Sequence, residues 1–289
     1  MGLFAAANFG YLLVPGLRKV YMDEFNQPGD IAPQLFSHEK SSKAVEYDLG
    51  IGGMGDLEEF NGTIPYNQDF QQQYRVSYVH KEYVGGIKVE RRLVDDDLYN
   101  IIEQRPKQLA VVAKRTREKH GASLFNNCFN TSVFAGGDSL SLCNTAHTWV
   151  GITNTWSNSG TDSLSATALE ATRIKGMLLL DETNNLMDIQ YDTLLIPPNL
   201  QETANIIIKS DWQSNTANNN MNWNKDRYKI IVWNRLTDSN NWYLIDSKYM
   251  KMFLKWFDRI PVEFNKDKDF DTYVAKYSAY CRYSFGFSD

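Results

Sequence analysis

The residues of this chain whose types could carry chemistry are four histidines, three cysteines and scattered carboxylates. The one metal-like spacing is Cys143-Asn-Thr-Ala-His147, with Cys128 upstream and Asp138 nearby. A closed zinc site takes four ligands, and one Cys with one His, three residues between them, leaves it incomplete, so these read as unliganded loop residues. His38, His80, His120 and His147 sit in no nucleophile-elbow or cysteine-protease context. Asp181-Glu182, or Asp267 with Asp269, has the composition of a general acid and base, but such pairs are common on solvated turns and nothing fixes their separation. Gly50-Ile-Gly-Gly-Met-Gly55 is followed by Asp56, Glu58 and Glu59, which would repel a phosphate. No catalytic centre, metal or cofactor follows from these patterns.

Binding chemistry is the next possibility. Lys114-Arg-Thr-Arg-Glu-Lys-His120 resembles a phosphate-backbone patch, yet Glu118 interrupts it and the chain carries a net charge of −5, so a solvated helix face is the favoured reading. That charge excludes a basic nucleic-acid-coating protein. Aromatic residues make up 13% of the chain, more than its core needs in large side chains, so some of them should face a partner. Trp149, Trp156, Trp212, Trp223, Trp233 and Trp242 could stack on sugars or bases, with burial in a core or interface the competing use. Three widely spaced cysteines do not form the disulfide framework of a secreted protein, and the apolar start at Met1-Gly2-Leu3 lacks a basic leader and reads as mature structure. Apolar runs such as 177–180 and 206–208 are far shorter than the roughly 20 residues that span a bilayer.

The elements that would position these residues fall into four stretches. Residues 1 to about 45 carry turn signals at Pro15-Gly16, Pro28-Gly29 and Pro33 between isolated aromatics, Phe9 and Tyr11 among them, and read as an extended arm that must lie on another surface. Gln73–Val79 and Gly86–Leu93 alternate with a two-residue period and read as a hairpin, with Tyr74, Val76 and Tyr78 on one face of the first run and Ile87 and Val89 on one face of the second. A long two-stranded ribbon is marginal alone. Asp95-Asp96-Asp97 supplies a negative helix start, and Pro106 opens the longest helix, to about Asn127, with Leu109, Val112, Ala113, Thr116, His120 and Leu124 inward and Lys114, Arg115, Arg117, Glu118 and Lys119 mainly outward. Beyond a Gly136-Gly137-Asp138 turn, the pattern predicts a helix from Ser165 to about Leu180, a strand 193–196, a helix 199–209, a polar loop 214–224, strands 228–233 and 242–245, and strand material over 273–287.

Phe134-Ala-Gly-Gly-Asp-Ser-Leu-Ser-Leu-Cys-Asn-Thr-Ala-His147 resembles a Gly-Gly-Asp-Gly segment of tailed-bacteriophage major capsid proteins, particularly the Mu-type major head subunit group. Leu164-Ser-Ala-Thr-Ala-Leu-Glu170, Asp192-Thr-Leu-Leu-Ile-Pro-Pro-Asn-Leu-Gln-Glu-Thr-Ala204, Leu236-Thr-Asp-Ser-Asn-Asn-Trp-Tyr-Leu244 and Tyr283-Ser-Phe-Gly-Phe287 are similar to later segments of the family, in order. Arg91-Arg-Leu-Val-Asp-Asp-Asp-Leu-Tyr99 and Arg115-Thr-Arg-Glu118 extend the likeness upstream, so that it spans about residues 50 to 287. Departures are Ser139, where the family often has Gly, and the absence of a closing Trp-Arg.

The resemblance implies an α+β chain of the Hong Kong 97 fold: an N-terminal arm (1–47), an E-loop hairpin (48–94), a peripheral domain with a long spine helix (95–132), an axial domain (133–250) and a return to the peripheral domain (251–289). It implies a structural protein without enzymatic activity or cofactor, assembling with itself as hexamers and pentamers into an icosahedral shell around double-stranded DNA, which it encloses without sequence-specific binding or a membrane. A separate scaffold, a protease, a portal and decoration proteins are its implied partners, the host cytoplasm its place of assembly and the virion its destination. The expected contacts between subunits are Phe9, Tyr11, Tyr74, Val76, Tyr78, Ile87 and Val89. Lys81 or Lys88 could form Lys-to-Asn crosslinks of the kind some related shells carry, with the uncrosslinked state the favoured reading. The rival from another class is a carbohydrate-binding or glycoside-hydrolysing protein.

Overall fold

The computed structural model describes residues 18–26, 29–53, 56, 59–60, 62, 71–90, 101–213, 220–268 and 274–288. Phe9, Tyr11, the Asp95-Asp96-Asp97 helix start and residues 214–219 of the polar stretch 214–224 lie outside them.

Two long C-terminal strands organise the larger part of the molecule. Strands β10 (Leu254–Lys268) and β11 (Val274–Phe287) pair antiparallel over their whole length, from Leu254 opposite Phe287 to Lys268 opposite Ala275. On one side β1 (Ser37–Lys40) adds parallel to β10, and on the other β4 (Lys81–Glu90) adds antiparallel to β11, which gives the order β1-β10-β11-β4. Val274–Phe287 falls within the expected strand material, whereas β10 and the helix Ser247–Phe253 before it carry no clear period and were not anticipated.

The expected hairpin does not form. Strand β3 (Gln72–Val79) pairs with β2 (Val45–Ile51), from Val79 opposite Val45 to Gln72 opposite Ile51, while β4 pairs with β11. Residues 81–85, between the two predicted runs, are extended and pair with β11 from Tyr283 to Ala279, so only His80 separates β3 from β4, fewer than the two residues of the shortest hairpin loop. The chain therefore runs straight from one sheet into the next, and Gly85-Gly86 lies inside β4 with Gly86 against the backbone of Tyr277.

The long helix Ile101–Asn126 also departs from expectation, because Pro106 lies inside it. The missing N–H removes a single ladder bond, to the carbonyl of residue 102, close to the helix start. Leu109, Ala110, Ala122, Leu124 and Phe125 are buried, but Val112 is exposed, and Arg117 and Glu118, expected outward, point into the molecule. The inward face is set by what it meets. Arg117 donates two parallel hydrogen bonds to Asp258 of β10 (Nη1–Oδ1 2.9 Å, Nη2–Oδ2 3.1 Å), and Glu118 accepts from the Ala32 N–H (2.9 Å) and Trp233 Nε1 (3.0 Å). Gly121 lets the neighbouring elements approach, since a Cβ there would stand 2.9 Å from that of Ala32.

A second unit forms from one contiguous stretch. Ser165 caps the helix Ala166–Met177 through Oγ, which accepts from the Ala168 N–H (3.1 Å). Strand β7 (Thr193–Ile196) is buried at every position, runs parallel to β8 (Lys229–Val232) and antiparallel to β9 (Tyr243–Ile245), and is linked to β8 through the helix Gln201–Lys209. These elements follow the expected strand, helix, strand, strand succession. Two hydrophobic clusters result: one of Leu164, Leu169, Leu194, Ile196, Ala204, Ile207, Ile208 and Tyr228, and a larger one beneath the long helix and the four-stranded sheet.

Candidate functional site

The residues singled out for metal or acid-base chemistry separate into two pairs. Cys143 donates its N–H to the carbonyl of Cys128 (2.8 Å), while His147 Nδ1 bonds Asp138 Oδ2 at 2.6 Å. Among the described residues no three His, Cys, Asp or Glu side chains converge as metal ligands. Burial alone would raise the Asp138 carboxyl, but the His147 bond and the Leu140 N–H hold it below the ordinary carboxylate range. The His147 ring stacks on Trp156 with centroids 4.5 Å apart, and its Nε2 is buried without a hydrogen-bond partner among the described residues. Among the described residues no hydroxyl or thiol stands where this dyad would deprotonate a nucleophile.

The other chemical candidates are structural in their contacts. Asp181 Oδ1 accepts from the N–H groups of Thr183 and Asn185 (both 2.8 Å), and Glu182 accepts from the Gly53 N–H, so that acidic pair closes a turn and ties it to the glycine-rich stretch. Asp269 lies outside the described residues. The basic run contributes Arg117 to the interior and Lys114 to an ion pair with Asp30 (3.5 Å), which leaves no continuous phosphate-binding face.

The tryptophans divide as well. Trp233 is fully buried, Trp212 and Trp223 are exposed, and Trp149, Trp156 and Trp242 line a cleft of about 420 Å³ between the segment after the long helix and the β9 region. Trp149 stacks on Trp156, and Trp242 Nε1 donates to the Asp162 carbonyl (2.9 Å).

The ribbon of β2 and β3 shows the clearest difference between its two faces. Inward, the Tyr78 ring packs on Phe257 (5.1 Å) and is 4% exposed, Val76 is half-buried, and Tyr74 Oη lies 3.0 Å from Thr148 Oγ1. Gly137 makes room for this seating: a Cβ there would come within 2.4 Å of the Tyr74 Cβ. Outward, Tyr47, Leu49, Ile51 and Val79 are exposed, at 54, 45, 72 and 61%. The Arg75 guanidinium lies 4.0 Å from the centre of the Tyr47 ring on that face.

The residues expected to contact other subunits are therefore placed unevenly. Tyr74, Val76 and Tyr78 do share a face, but it is the face turned to their own chain. Val89 is buried beneath the long helix and Ile87 packs against the same cluster, so a register argument correctly grouped residues whose partners are intramolecular. Val45-Glu-Tyr-Asp-Leu-Gly-Ile51 alternates plainly and carries the outward stripe, but the arm boundary at 47 and the glycines from Gly50 split that run in the sequence. His80 closes the seam between ribbon and sheet, with Nε2 3.0 Å from Ser41 Oγ and Nδ1 3.0 Å from Ser284 Oγ; burial lowers its pKa.

No curated protein sequence matches this chain. Among solved structures it is similar to the capsid of bacteriophage JBD30 decorated with minor capsid protein trimers (TM-score 0.58, 12% identity, 82% of this chain and 100% of that one). It is also similar to the capsid of the cyanophage P-SCSP1u (0.57, 15%, 91% and 86%) and to the capsid of a native GTA particle (0.52, 13%, 91% and 89%). Likeness at these identities establishes the fold, an α+β chain of the Hong Kong 97 type. The family described as phage capsid protein matches residues 73–289, three quarters of the chain, without distinguishing the Mu-type group. This chain belongs to the phage capsid protein family.

Proposed function

We propose that this chain, a structural and non-enzymatic capsid subunit of the virion, assembles in the host cytoplasm as hexamers and pentamers of an icosahedral shell around double-stranded DNA. The observation that carries the detail is the ribbon's outward face. Tyr47, Leu49, Ile51 and Val79 form an apolar stripe on a two-stranded element, and such a stripe gains most by lying on a neighbouring copy. The ribbon 45–79 then takes the role that the resemblance gives to an E-loop, three residues earlier at its start and fifteen earlier at its end than the 48–94 expected, since β4 belongs to the body. The arm, expected over 1–47 and here ending where the ribbon begins at 45, would bring Phe9 and Tyr11 to further contacts, and Tyr74, Val76, Tyr78, Ile87 and Val89 would act indirectly by seating the ribbon and sheet.

The remaining divisions are read in the same way: 95–132 as the spine-bearing peripheral part, 133–250 as the axial domain and 251–289 as the peripheral return. A chain of net charge −5 suits a wall that encloses DNA without gripping it. Scaffold, protease, portal and decoration proteins would be supplied by other chains.

The test is a ribbon variant carrying Leu49→Lys, Ile51→Lys and Val79→Lys. It should remain folded by circular dichroism, because these side chains are outside both clusters, and should form no particles in negative-stain micrographs under conditions where the parent does. Normal shells from this variant would refute the contact assignment. A parent that stays monomeric under every assembly condition while binding oligosaccharide would replace the shell reading with the carbohydrate-binding one.

A further inference from the structure

The three cysteines occupy two different environments. Cys281 lies in β11 within the larger cluster, and burial pushes its thiol pKa up. Cys128 and Cys143, fifteen residues apart in sequence, come together where the turn after the long helix meets the strand-free segment 133–146: the Cys143 N–H donates to the Cys128 carbonyl (2.8 Å). Residues joined by a backbone hydrogen bond have Cα atoms within the roughly 4.4–6.8 Å span that a disulfide bridges. Both are free thiols here.

Their access and polarisation differ in a useful way. Cys128 is buried, with Tyr243 Oη 3.4 Å from its Sγ, while Cys143 is half-buried on the wall of the tryptophan-lined cleft and is open to a small molecule entering it. The neighbouring Cys143 thiol holds the Cys128 thiol below its usual pKa, while the Cys128 thiol and burial push Cys143 well up, so Cys128 is the better thiolate of the pair and Cys143 is the thiol that the cleft exposes.

We propose that Cys128 and Cys143 are an oxidant-reactive dithiol that closes to an intrachain disulfide by exchange with a small-molecule disulfide of the glutathione type. After loss of a proton, Cys143 sulfur attacks one sulfur of glutathione disulfide, forming a mixed disulfide and expelling one glutathione thiolate, which takes up that proton. The Cys128 thiolate then attacks Cys143 Sγ, breaks the mixed bond and expels the second glutathione, which receives the Cys128 proton. Two thiols are oxidised by two electrons and one glutathione disulfide is reduced to two glutathiones. A particle that leaves a reducing cell for an oxidising medium would meet such an oxidant at release. The bond would pin the segment carrying the Asp138–His147 pair to the end of the long helix, closing a loop from 128 to 143.

Mass spectrometry of the full-length protein, incubated with glutathione disulfide or with glutathione alone and then alkylated, tests this. Lys119 and Arg173 are the flanking tryptic sites, so peptide 120–173 contains both cysteines and should become lighter by two hydrogens after oxidation. Both lose alkylation together, Cys281 keeps its label, and the protein migrates as a monomer on a non-reducing denaturing gel. The melting temperature should rise by roughly 5 °C or more, as expected for a loop of this length. Cys143→Ser, at the half-buried position, should fold, keep Cys128 alkylatable after oxidation and show no melting shift. Full alkylation of all three cysteines after oxidation, a lasting glutathione adduct on Cys143 with Cys128 free, or a disulfide-linked dimer would each overturn the proposal.

Discussion

The two hydrophobic clusters are built on opposite plans. The smaller draws its buried members from residues 164 to 228 and consists mainly of Leu and Ile around a fully buried strand. The larger gathers residues from Tyr21 to Phe287 and is rich in rings, with Trp256 touching Phe36, His38, Tyr283 and Phe285 at centroid distances of 4.9–5.7 Å. The first closes by local chain reversals, whereas the second exists only once β4, β10 and β11 have met across the whole sequence. It also contains what aliphatic packing cannot supply, a set of directional bonds. Arg117 lies 5.0 Å from the Trp256 ring centre while gripping Asp258, and Glu118 holds Trp233, so the roll of the long helix is fixed by charge geometry as well as by burial.

Removing the central ring of the larger cluster should cost most. Trp256 is fully buried, and Trp256→Ala should destabilise by about 4 kcal/mol, the usual range for emptying an aromatic core site. Ile208→Ala in the smaller cluster should cost about 3 kcal/mol. Denaturant titration gives both sizes, and hydrogen exchange gives their place. Protection should fall over 81–90 and 254–287 in the first variant and over 193–245 in the second. Equal loss of protection throughout the chain in both variants would erase the distinction between a long-range and a local unit.

That distinction also explains what could be read from the sequence. Thr193–Ile196, the double proline behind it and the amphipathic helix Gln201–Lys209 announce themselves through adjacent residues, and Ser165 marks its helix through its own side chain. The pairing partners of β3 and β4 lie at β2 and β11, and no residue near Gly85 reports that Tyr277 is across from Ile87. Face assignment on the long helix failed for a related reason: Arg117 and Glu118 look solvent-bound until Asp258 and Trp233, more than a hundred residues away, provide their partners. The order of family-like segments identified the fold where periodicity could not, and the outward stripe of the ribbon was present in the alternation of 45–51 but divided between two regions.

The directional bonds make the larger cluster sensitive to acid. Burial pushes the Asp258 carboxyl up, but the bonds from His38, Arg117 and Trp256 outweigh it and bring its pKa down to about 2, from an ordinary 3.8. A carboxyl with a depressed folded pKa stabilises fully above its unfolded value and loses that contribution as pH falls through the folded one. About 2 kcal/mol should therefore disappear between roughly pH 4 and 2. Glu118 has the opposite shift, raised chiefly by burial, so Asp258→Asn is needed to isolate the effect. In urea titrations, that variant should be less stable than the parent at pH 6 and lose the Asp258 share of the acid slope. An unchanged slope would assign the acid sensitivity elsewhere and remove the contrast between the polar and aliphatic cores.

The smallest expected effect concerns the turn that seats the ribbon. Ser139 has a φ of +63°, which places it in the left-handed region that side chains disfavour and glycine adopts freely. The turn tolerates this because the Ser139 N–H reaches the Gly136 carbonyl (3.1 Å) and Asp138 Oδ1 accepts from the Leu140 N–H (2.9 Å), so the flanking residues hold the shape. The serine side chain itself is exposed and contributes little to packing. Ser139→Gly should therefore relieve local strain and stabilise the chain by about 0.5–1 kcal/mol, the added freedom of glycine in the unfolded chain offsetting part of the gain. Thermal melts of parent and variant measure it directly. A destabilised Ser139→Gly would mean that the turn is held by the serine rather than by Asp138 and Gly136, and that the ribbon's seat is set by residue 139 instead of by the close approach of Tyr74 to Gly137.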